Sequence, residues 1–166
     1  MVCLSSLHLL GTYLFKRKAE NEINIIMAKL YIISGISELP VVANIIINCL
    51  GSRNVILLKS NLGGGKTTLT RHIGKFLKSP SHISSPSFSL VNEYESPIYN
   101  KIYHFDFYRI RQHSELEDIG FESYMSPKNL CIIEWPGIVL NDIQFPYIEV
   151  EIEDYFSSRT YTIKYS

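Results

Sequence analysis

The sequence has few cysteines, no excess of charge of either sign and no internal repeat. The three cysteines, Cys3, Cys49 and Cys131, are odd in number and widely spaced, which predicts neither a disulfide framework nor a zinc site. Sixteen basic residues balance sixteen acidic ones, so no global basic surface for nucleic acid is expected. The 166 residues suit one domain, and the cysteine usage is typical of a reduced, cytoplasmic protein.

The N-terminal residues differ in composition from the rest of the chain. Residues 1–15 are mostly apolar and precede a basic run at residues 16–18, whereas a secretory signal has its basic residues first. The apolar run is also too short to span a bilayer. We therefore expect a non-native or disordered extension over residues 1–26, a natural start at Met27 and one domain over residues 27–166. A signal anchor is the alternative, and mass spectrometry of the native N-terminus distinguishes the two.

A glycine-rich segment at residues 60–68 reads Ser-Asn-Leu-Gly-Gly-Gly-Lys-Thr-Thr. It matches a phosphate-binding loop at every defined position except the first, where Ser60 replaces glycine. The apolar residues 55–58 predict a buried strand before this phosphate loop. An amphipathic helix is predicted after it, with an apolar face formed by Leu69, Ile73, Phe76 and Leu77. Strand, loop and helix in this order favour a nucleotide-binding site over a glycine-rich turn with a surface lysine.

The chemistry of such a loop follows from its backbone. Successive glycines let N–H groups converge on phosphate oxygens, and the start of the following helix adds a partial positive charge. The Lys66 ammonium is expected to reach the β- and γ-phosphates, and the Thr67 hydroxyl to bind Mg²⁺. Ser60 is compatible with this role if its φ stays negative. The expected nucleotide contacts in the loop are Asn61, Leu62, Gly63, Gly64, Gly65, Lys66, Thr67 and Thr68.

Short strands and helices alternate along the rest of the chain. A strand is predicted at residues 29–34, and residues 148–153 and 159–165 alternate in polarity as a terminal β-hairpin with one solvated face. The mixture predicts an α/β fold, a single domain with a mixed parallel and antiparallel sheet flanked by helices and a C-terminal β-hairpin.

Three further local patterns predict element ends and pairings. Ser37 is expected to cap a helix over residues 38–50. Residues 88–94 and 101–108 are expected to form an antiparallel pair of strands. A capping box at residues 114–117 predicts a short helix.

An acidic residue follows the apolar strand predicted at residues 130–133. Because ligands in open α/β sheets bind beyond the carboxyl ends of strands, Glu134 is a candidate for a second magnesium ligand. A solvated carboxylate at a strand end is the alternative. Trp135, the single tryptophan, lies beside the site or fills the core.

A second acidic residue lies inside an aromatic strand. Alternation places Asp106 on the same face as His104 and Tyr108. The partner of this carboxylate is then Mg²⁺-bound water, the attacking water or Arg109, while His104 shapes the site or is a structural histidine. Residues 84–87 are either a nucleotide-sensing switch with a hydroxyl near the γ-phosphate or a Ser/Pro turn.

Five motifs in this chain occur in an order that resembles the TsaE family, the ATPase subunits of the bacterial machinery that makes threonylcarbamoyladenosine in tRNA. The phosphate loop alone is common to many proteins, whereas the ordered set is specific and spans the chain from about Met27 to its C-terminal end. The motifs lie at residues 60–68, 84–94, 103–110, 115–120 and 133–136.

The resemblance implies a small cytoplasmic ATPase with a P-loop NTPase-like domain that binds ATP or ADP with Mg²⁺. The implied partners are the threonylcarbamoyltransferase and that enzyme's inactive paralogue, with tRNA met through the complex. ATP turnover is implied to be weak in the isolated subunit and to reset the complex between modification cycles.

Residue by residue, the resemblance assigns catalytic roles to Lys66, Asp106 and Glu134. It implies that Thr67 and Glu134 hold the metal, that Asp106 is needed for hydrolysis and that Trp135 lies beside the nucleotide. These roles fall on residues of the matching motifs in this sequence.

The resemblance also implies a nucleotide contact from Ser158 and Arg159 in the terminal hairpin. Family loops usually read Gly-Asp-Leu-Gly-Ala-Gly-Lys-Thr, so Ser60, Asn61 and Gly64 are departures. None of these departures removes a catalytic group.

Two other functions compete with the ATPase subunit. A small-molecule kinase would use the same loop, but it should carry arginines over the phosphates, and the only close pair is Arg109 and Arg111. A nucleotide-gated binding module without useful turnover is the third possibility. Phosphate release measured with and without the partner proteins separates the three.

Overall fold

The computed structural model describes residues 8–19, 22–86 and 88–165, and eight strands of these residues form one sheet. The strands are β1 (His8–Ala19), β2 (Glu22–Ile33), β3 (Val55–Ser60), β4 (Val91–Tyr94), β5 (Ile102–Asp106), β6 (Leu130–Glu134), β7 (Tyr147–Tyr155) and β8 (Ser158–Tyr165). The helices are α1 (Leu39–Leu50), α2 (Lys66–Phe76), α3 (Ser114–Asp118) and α4 (Phe121–Tyr124), with short 3₁₀ turns at Ile36–Glu38 and Pro136–Val139.

The sheet is mixed, as the sequence predicts. Its strand order is β1-β2-β8-β7-β3-β6-β5-β4. The central strands β7, β3, β6 and β5 are parallel to their neighbours in that run, and the remaining pairs are antiparallel. The predicted terminal hairpin is confirmed as β7 and β8. The carboxyl ends of β3, β5 and β6 therefore meet at one edge of the sheet, where the phosphate loop begins.

The central strand β3 is buried on both faces, which explains its uninterrupted apolar run. Ile56 and Leu58 belong to the apolar core that also contains the inner faces of α1 and α2. Val55 and Leu57 belong to a second core on the other face, together with aromatic side chains of β5 and α4. The two cores make a layered α/β domain in which β3 is buried between them. Among the described residues, no helix has the length and apolar character needed to cross a membrane.

The expected apolar face of α2 is confirmed except at its end. Leu69, Ile73 and Leu77 are buried, but Phe76 is 42% exposed. Phe76 is the last residue of the helix, and Leu77 directly after it is buried. Three of the four residues predicted for the apolar face are therefore buried, and Phe76 is the exception.

Both predicted helix caps are wrong in detail. Ser37 lies inside the 3₁₀ turn, α1 begins two residues later, and no side chain of the described residues caps it. Pro40 in the first turn suits this start, because a helix needs no N–H bond there. The second cap is the capping box predicted at residues 114–117. Helix α3 begins at Ser114 itself, and the Glu115 carboxylate accepts the backbone N–H groups of Arg111 and Gln112, both at 2.9 Å.

The predicted antiparallel pair is confirmed as β4 and β5, but both strands are shorter than expected. β4 starts only at Val91, because Leu90 has a φ of 64° and cannot continue an extended strand. Phe88, expected in the strand, is 89% exposed. β5 ends at Asp106, and the next N–H, of Phe107, donates to the Glu134 carbonyl oxygen at 3.1 Å. Asp106 is therefore the last residue of β5, at the carboxyl end of the strand.

The strand expected at residues 29–34 is the second half of the longer β2, which pairs with both β1 and β8. The structure thus gives backbone strands within the segment that we expected to be a non-native or disordered extension. Residues 1–7, 20 and 21 lie outside the described residues. A natural start at Met27 stays a prediction.

Candidate nucleotide-binding site

The phosphate loop connects the end of β3 to the start of α2. Gly63 and Gly65 have φ values of 76° and 91°, which only glycine adopts without strain. The Leu69 N–H donates to the Gly65 carbonyl oxygen at 2.9 Å and closes the first turn of α2. The N–H groups that precede this bond have no partner within the helix, and a helix terminus of this kind favours an anion.

Lys66, the first residue of α2, is buried in the loop. Its Nζ donates to the Ser60 Oγ at 2.9 Å and to the Asn61 carbonyl oxygen at 3.1 Å. Burial lowers the pKa of the Lys66 ammonium below its usual value of 10.5, while the charges of Glu134 and Asp106 act in the opposite direction. The cation is thus held inside the loop by neutral oxygen atoms.

Glu134 is buried at the end of β6, not solvated as its alternative interpretation required. Its Oε1 accepts the Thr67 hydroxyl at 2.8 Å and lies 2.8 Å from the His104 Nε2. Since a carboxylate oxygen accepts hydrogen bonds, we assign the ring hydrogen to Nε2. His104 is fully buried, and its Nδ1 has no hydrogen-bond partner among the described residues. The histidine therefore fixes the carboxylate that faces the loop.

Asp106, at the end of β5, is held by the chain that follows it. Its Oδ1 accepts the Tyr108 N–H at 3.1 Å, and the Ser85 Oγ lies 3.5 Å from Oδ2. Ser85 comes from the segment considered as a nucleotide-sensing switch, of which residue 87 lies outside the described residues. The sequence also offered Arg109 as a partner of Asp106. Its guanidinium carbon lies 4.6 Å from the centre of the Phe88 ring.

Trp135 covers the lysine. Its backbone has a φ of 57°, an uncommon conformation for a residue other than glycine. The Lys66 Nζ lies 4.0 Å from the centre of the indole ring, and the Tyr108 ring packs 4.9 Å from it. Trp135 is thus beside the site, and its ring makes a cation–π contact with the ammonium.

These groups line one cavity of about 370 Å³, which we call the loop cavity. Of the residues expected from the sequence, the structure places in its wall Leu62, Gly63, Gly64, Gly65, Lys66, Thr67, Thr68, Asp106, Glu134 and Trp135. Asn61 contributes its carbonyl oxygen to the lysine. Ser85, Tyr108 and Arg109 also line the cavity. The sequence held a signal for each of them: Ser85 lies in the segment considered as a switch, Tyr108 shares the face of Asp106 by alternation, and Arg109 was considered as a partner of Asp106.

Ser158 and Arg159 line a second cavity of about 340 Å³, beside the turn between β7 and β8. Thr68 belongs to the walls of both cavities. The Arg159 Nη2 donates to the Gly63 carbonyl oxygen at 3.3 Å, and its Nε donates to the Asp154 Oδ1 at 3.1 Å. The structure therefore brings the hairpin against the phosphate loop but gives it a cavity of its own.

The donor set at the loop fits a magnesium ion. The Thr67 hydroxyl and the Glu134 carboxylate are hard oxygen ligands in contact with each other. Mg²⁺ is usually bound by one or two protein oxygens together with phosphate oxygens and water. Among the described residues, no group of three or more His, Cys, Asp or Glu side chains could hold a metal ion.

A parallel central strand, a glycine-rich loop, a helix that starts with Lys-Thr and an acidic residue on the adjacent strand define a P-loop NTPase-like domain. Comparison with known proteins narrows this class to a family. The family model described as "Threonylcarbamoyl adenosine biosynthesis protein TsaE" matches residues 34–161. The chain belongs to the TsaE family, whose members take part in tRNA threonylcarbamoyladenosine biosynthesis, and the resemblance seen in the sequence is confirmed.

Individual relatives agree with this assignment. The chain is 40% identical over 101 residues to the tRNA threonylcarbamoyladenosine biosynthesis protein TsaE of Rickettsia typhi, covering 60% of this chain and 69% of the relative. It is 29% identical over 100 residues to the protein of the same name from Bacillus subtilis, covering 60% and 61%. A crystal structure of Bacillus subtilis YdiB matches with a TM-score of 0.64 and 20% identity over 86% of this chain and 88% of that one, which shows the shared fold.

Proposed function

We propose that this protein is a Mg²⁺-dependent ATPase that serves the synthesis of N6-threonylcarbamoyladenosine in tRNA. The single observation that carries the proposal is one cavity that unites the glycine-rich loop, a buried ammonium, a hydroxyl and two carboxylates. These are the groups that phosphoryl transfer to water requires. The names of the relatives supply the pathway.

The chain's own residues account for nucleotide binding. The N–H groups of the first turn of α2 bind the phosphates, since they have no partners inside the helix. The Gly64 N–H of the loop donates to the Asn61 carbonyl oxygen at 3.0 Å and would exchange this bond for a phosphate oxygen. Lys66 exchanges its contacts with Ser60 and Asn61 for the β- and γ-phosphate oxygens. The ammonium lies in the wall of the cavity already, so binding requires only a local movement of its side chain.

Hydrolysis rests on the two carboxylates. Thr67 and Glu134 would hold Mg²⁺, which supplies neutralisation of the charge that develops on the phosphate oxygens. Asp106 orients the attacking water and accepts its proton, because its carboxylate lies in the same cavity and is fixed by the Tyr108 N–H. His104 keeps the Glu134 carboxylate in place through the contact between Nε2 and Oε1.

The second cavity is proposed to receive the nucleoside. It shares Thr68 with the loop cavity, and Ser158 and Arg159 lie in its wall. A ligand whose phosphates occupy the loop can therefore extend past Thr68 toward the hairpin. In this arrangement Arg159 contacts the nucleotide while it is anchored to Gly63 and Asp154.

The partners are proposed from the resemblance to the family. They are the threonylcarbamoyltransferase and its inactive paralogue, with tRNA bound through the complex. The balanced charge of this chain agrees with an indirect tRNA contact. ATP turnover would then reset the complex between modification cycles.

The test is phosphate release from ATP–Mg²⁺, measured with the full chain alone and with both partner proteins. We expect weak release alone and faster release in the complex. The Lys66→Ala variant should abolish it, while Lys75→Ala, an exposed lysine on the same helix, should leave it unchanged. Absence of release under both conditions would contradict the ATPase and leave a gated binding module. Transfer of phosphate to a small-molecule acceptor would instead indicate a kinase.

A further inference from the structure

Gly64 differs from its two glycine neighbours in the reason why a side chain is not tolerated. Gly63 and Gly65 have positive φ values, whereas the backbone of Gly64 is in a conformation that other residues also adopt. A Cβ atom placed on Gly64 would lie 2.6 Å from the Ser60 Cβ and would also collide with the Ser60 Oγ. Carbon atoms that are not bonded approach to about 3.5–4.0 Å. The space for a side chain at position 64 is thus occupied by Ser60.

The Ser60 side chain cannot easily leave this space. Ser60 is the last residue of β3 and is in register with Ile152 of β7, so the sheet fixes the position of its Cβ. A rotation about χ1 moves the hydroxyl but not the Cβ. The hydroxyl is engaged as well, because it donates to the Asn61 carbonyl oxygen at 2.9 Å and accepts from the Lys66 Nζ at 2.9 Å.

We propose that Ser60 and Gly64 are a matched pair that sets the nucleotide-binding shape of the phosphate loop. Ser60 fills the space that the absent side chain at position 64 leaves, so each residue requires the other. The usual family loop has Gly at the position of Ser60 and Ala at the position of Gly64. The two departures are then one feature, because the side chain that fills this space belongs to residue 60 instead of residue 64. This inference rests on the proposed nucleotide binding and adds a residue that positions the loop.

The pair predicts coupled effects of substitution in the full chain. Gly64→Ala should weaken ADP–Mg²⁺ binding by about tenfold, the expected scale for forcing a methyl group into a filled site. It should also lower the Tm of the nucleotide-free protein by about 5 °C. The double variant Ser60→Gly with Gly64→Ala should return both values to near those of Ser60→Gly alone. The contact that remains in it is 3.0 Å, to the Asn61 carbonyl oxygen, and needs only a small adjustment.

Two control variants separate the contact from other causes. Ser60→Ala combined with Gly64→Ala should not be rescued, because the Cβ of residue 60 is still present. Gly63→Ala should weaken binding through its positive φ, and Ser60→Gly should not rescue it, since no described atom lies within 4 Å of a Cβ at that position. Rescue in either control would assign the effect to the hydroxyl or to general loosening of the loop and would overturn the pair.

Calorimetric titration with ADP–Mg²⁺ and thermal unfolding without nucleotide are the two measurements. Additive changes in both, with no coupling between positions 60 and 64, overturn the proposal. Coupling in Tm without coupling in affinity overturns the role of the pair in nucleotide binding. If the unaltered protein does not bind ADP although Tm shows the coupling, the proposed nucleotide binding is wrong while the packing of the pair is correct.

Discussion

Asp106 and Glu134 are register partners at the carboxyl ends of the parallel neighbours β5 and β6. Adjacent strands lie about 4.8 Å apart, so the two acidic residues stand side by side, and both are buried. Their hydrogen-bond partners differ. Glu134 is bound to the start of α2 through Thr67, whereas Asp106 is bound by the turn after its own strand. The Glu134 carboxylate is thus bound to the end of the phosphate loop, and the Asp106 carboxylate to the turn that contains Tyr108.

Replacing Lys66 should remove nucleotide binding. Charge-assisted contacts of the ammonium to phosphates contribute about 1.5–3 kcal/mol each, so Lys66→Ala should weaken ADP binding by about 100-fold or more. The measurement is calorimetric titration with ADP–Mg²⁺. Lys75→Ala, a change of the same residue type on the exposed side of α2, is the control. An affinity within a factor of about three of the unaltered protein would contradict the role of Lys66.

Replacing Asp106 should separate binding from turnover. Asp106→Ala should bind ADP as the unaltered protein does but release phosphate from ATP about 100-fold more slowly, because the water loses its base. Single-turnover phosphate release in the partner complex measures the chemical step, and Asp118→Ala on the exposed side of α3 is the matched control. Hydrolysis by Asp106→Ala at the original rate would show that this carboxylate has another function.

Trp135 should report nucleotide binding through its fluorescence. It is the only tryptophan of the chain, and the Lys66 ammonium lies 4.0 Å from its ring centre. When the ammonium moves to the phosphates, the cation–π contact weakens and the emission should change with a saturable dependence on ADP. The Lys66→Ala variant, which lacks both the cation and the binding, should give no such change. Unaltered emission in a titration where calorimetry detects binding would contradict the proposed movement of Lys66.

Glu149 should make stability depend on acid pH. Burial acts to raise the pKa of this carboxyl group, but hydrogen bonds and charges of Lys59 at 2.6 Å and Lys164 at 3.2 Å outweigh burial and lower it below 4.5. Because the folded pKa is lower than the unfolded one, the stabilisation is complete above pH 4.5 and is lost as the pH falls through the folded pKa.

The Glu149→Gln variant tests this dependence by urea unfolding at a series of pH values. We expect a loss of about 1 kcal/mol at neutral pH that shrinks as the pH falls below 4.5. Glu117→Gln, at an exposed position of α3, should give unfolding free energies close to those of the unaltered protein throughout. A difference between Glu149→Gln and the unaltered protein that stays constant with pH would mean that the carboxylate does not supply the stabilisation.

Sequence reasoning was most successful where neighbouring residues decide the structure. The apolar run of β3 and the amphipathic spacing of α2 predicted the strand and helix on either side of the loop. It failed at element ends, as at Ser37 and Phe88. Both depend on segments that are distant in the chain. At Ser37 the question is which group binds the first N–H groups of α1, and at Phe88 it is whether the ring packs in the core or against Arg109.

The sequence by itself determined the phosphate loop, its lysine and threonine, and the presence of acidic residues after apolar strands, since each depends on a few adjacent residues. Only the tertiary structure decided which of them meet. Glu134 reaches Thr67 across 67 positions and His104 across 30, because β6 lies between β3 and β5 in the sheet. The contact that excludes a side chain at Gly64 likewise depends on the Ser60 Cβ, whose position is fixed by the pairing of β3 with β7.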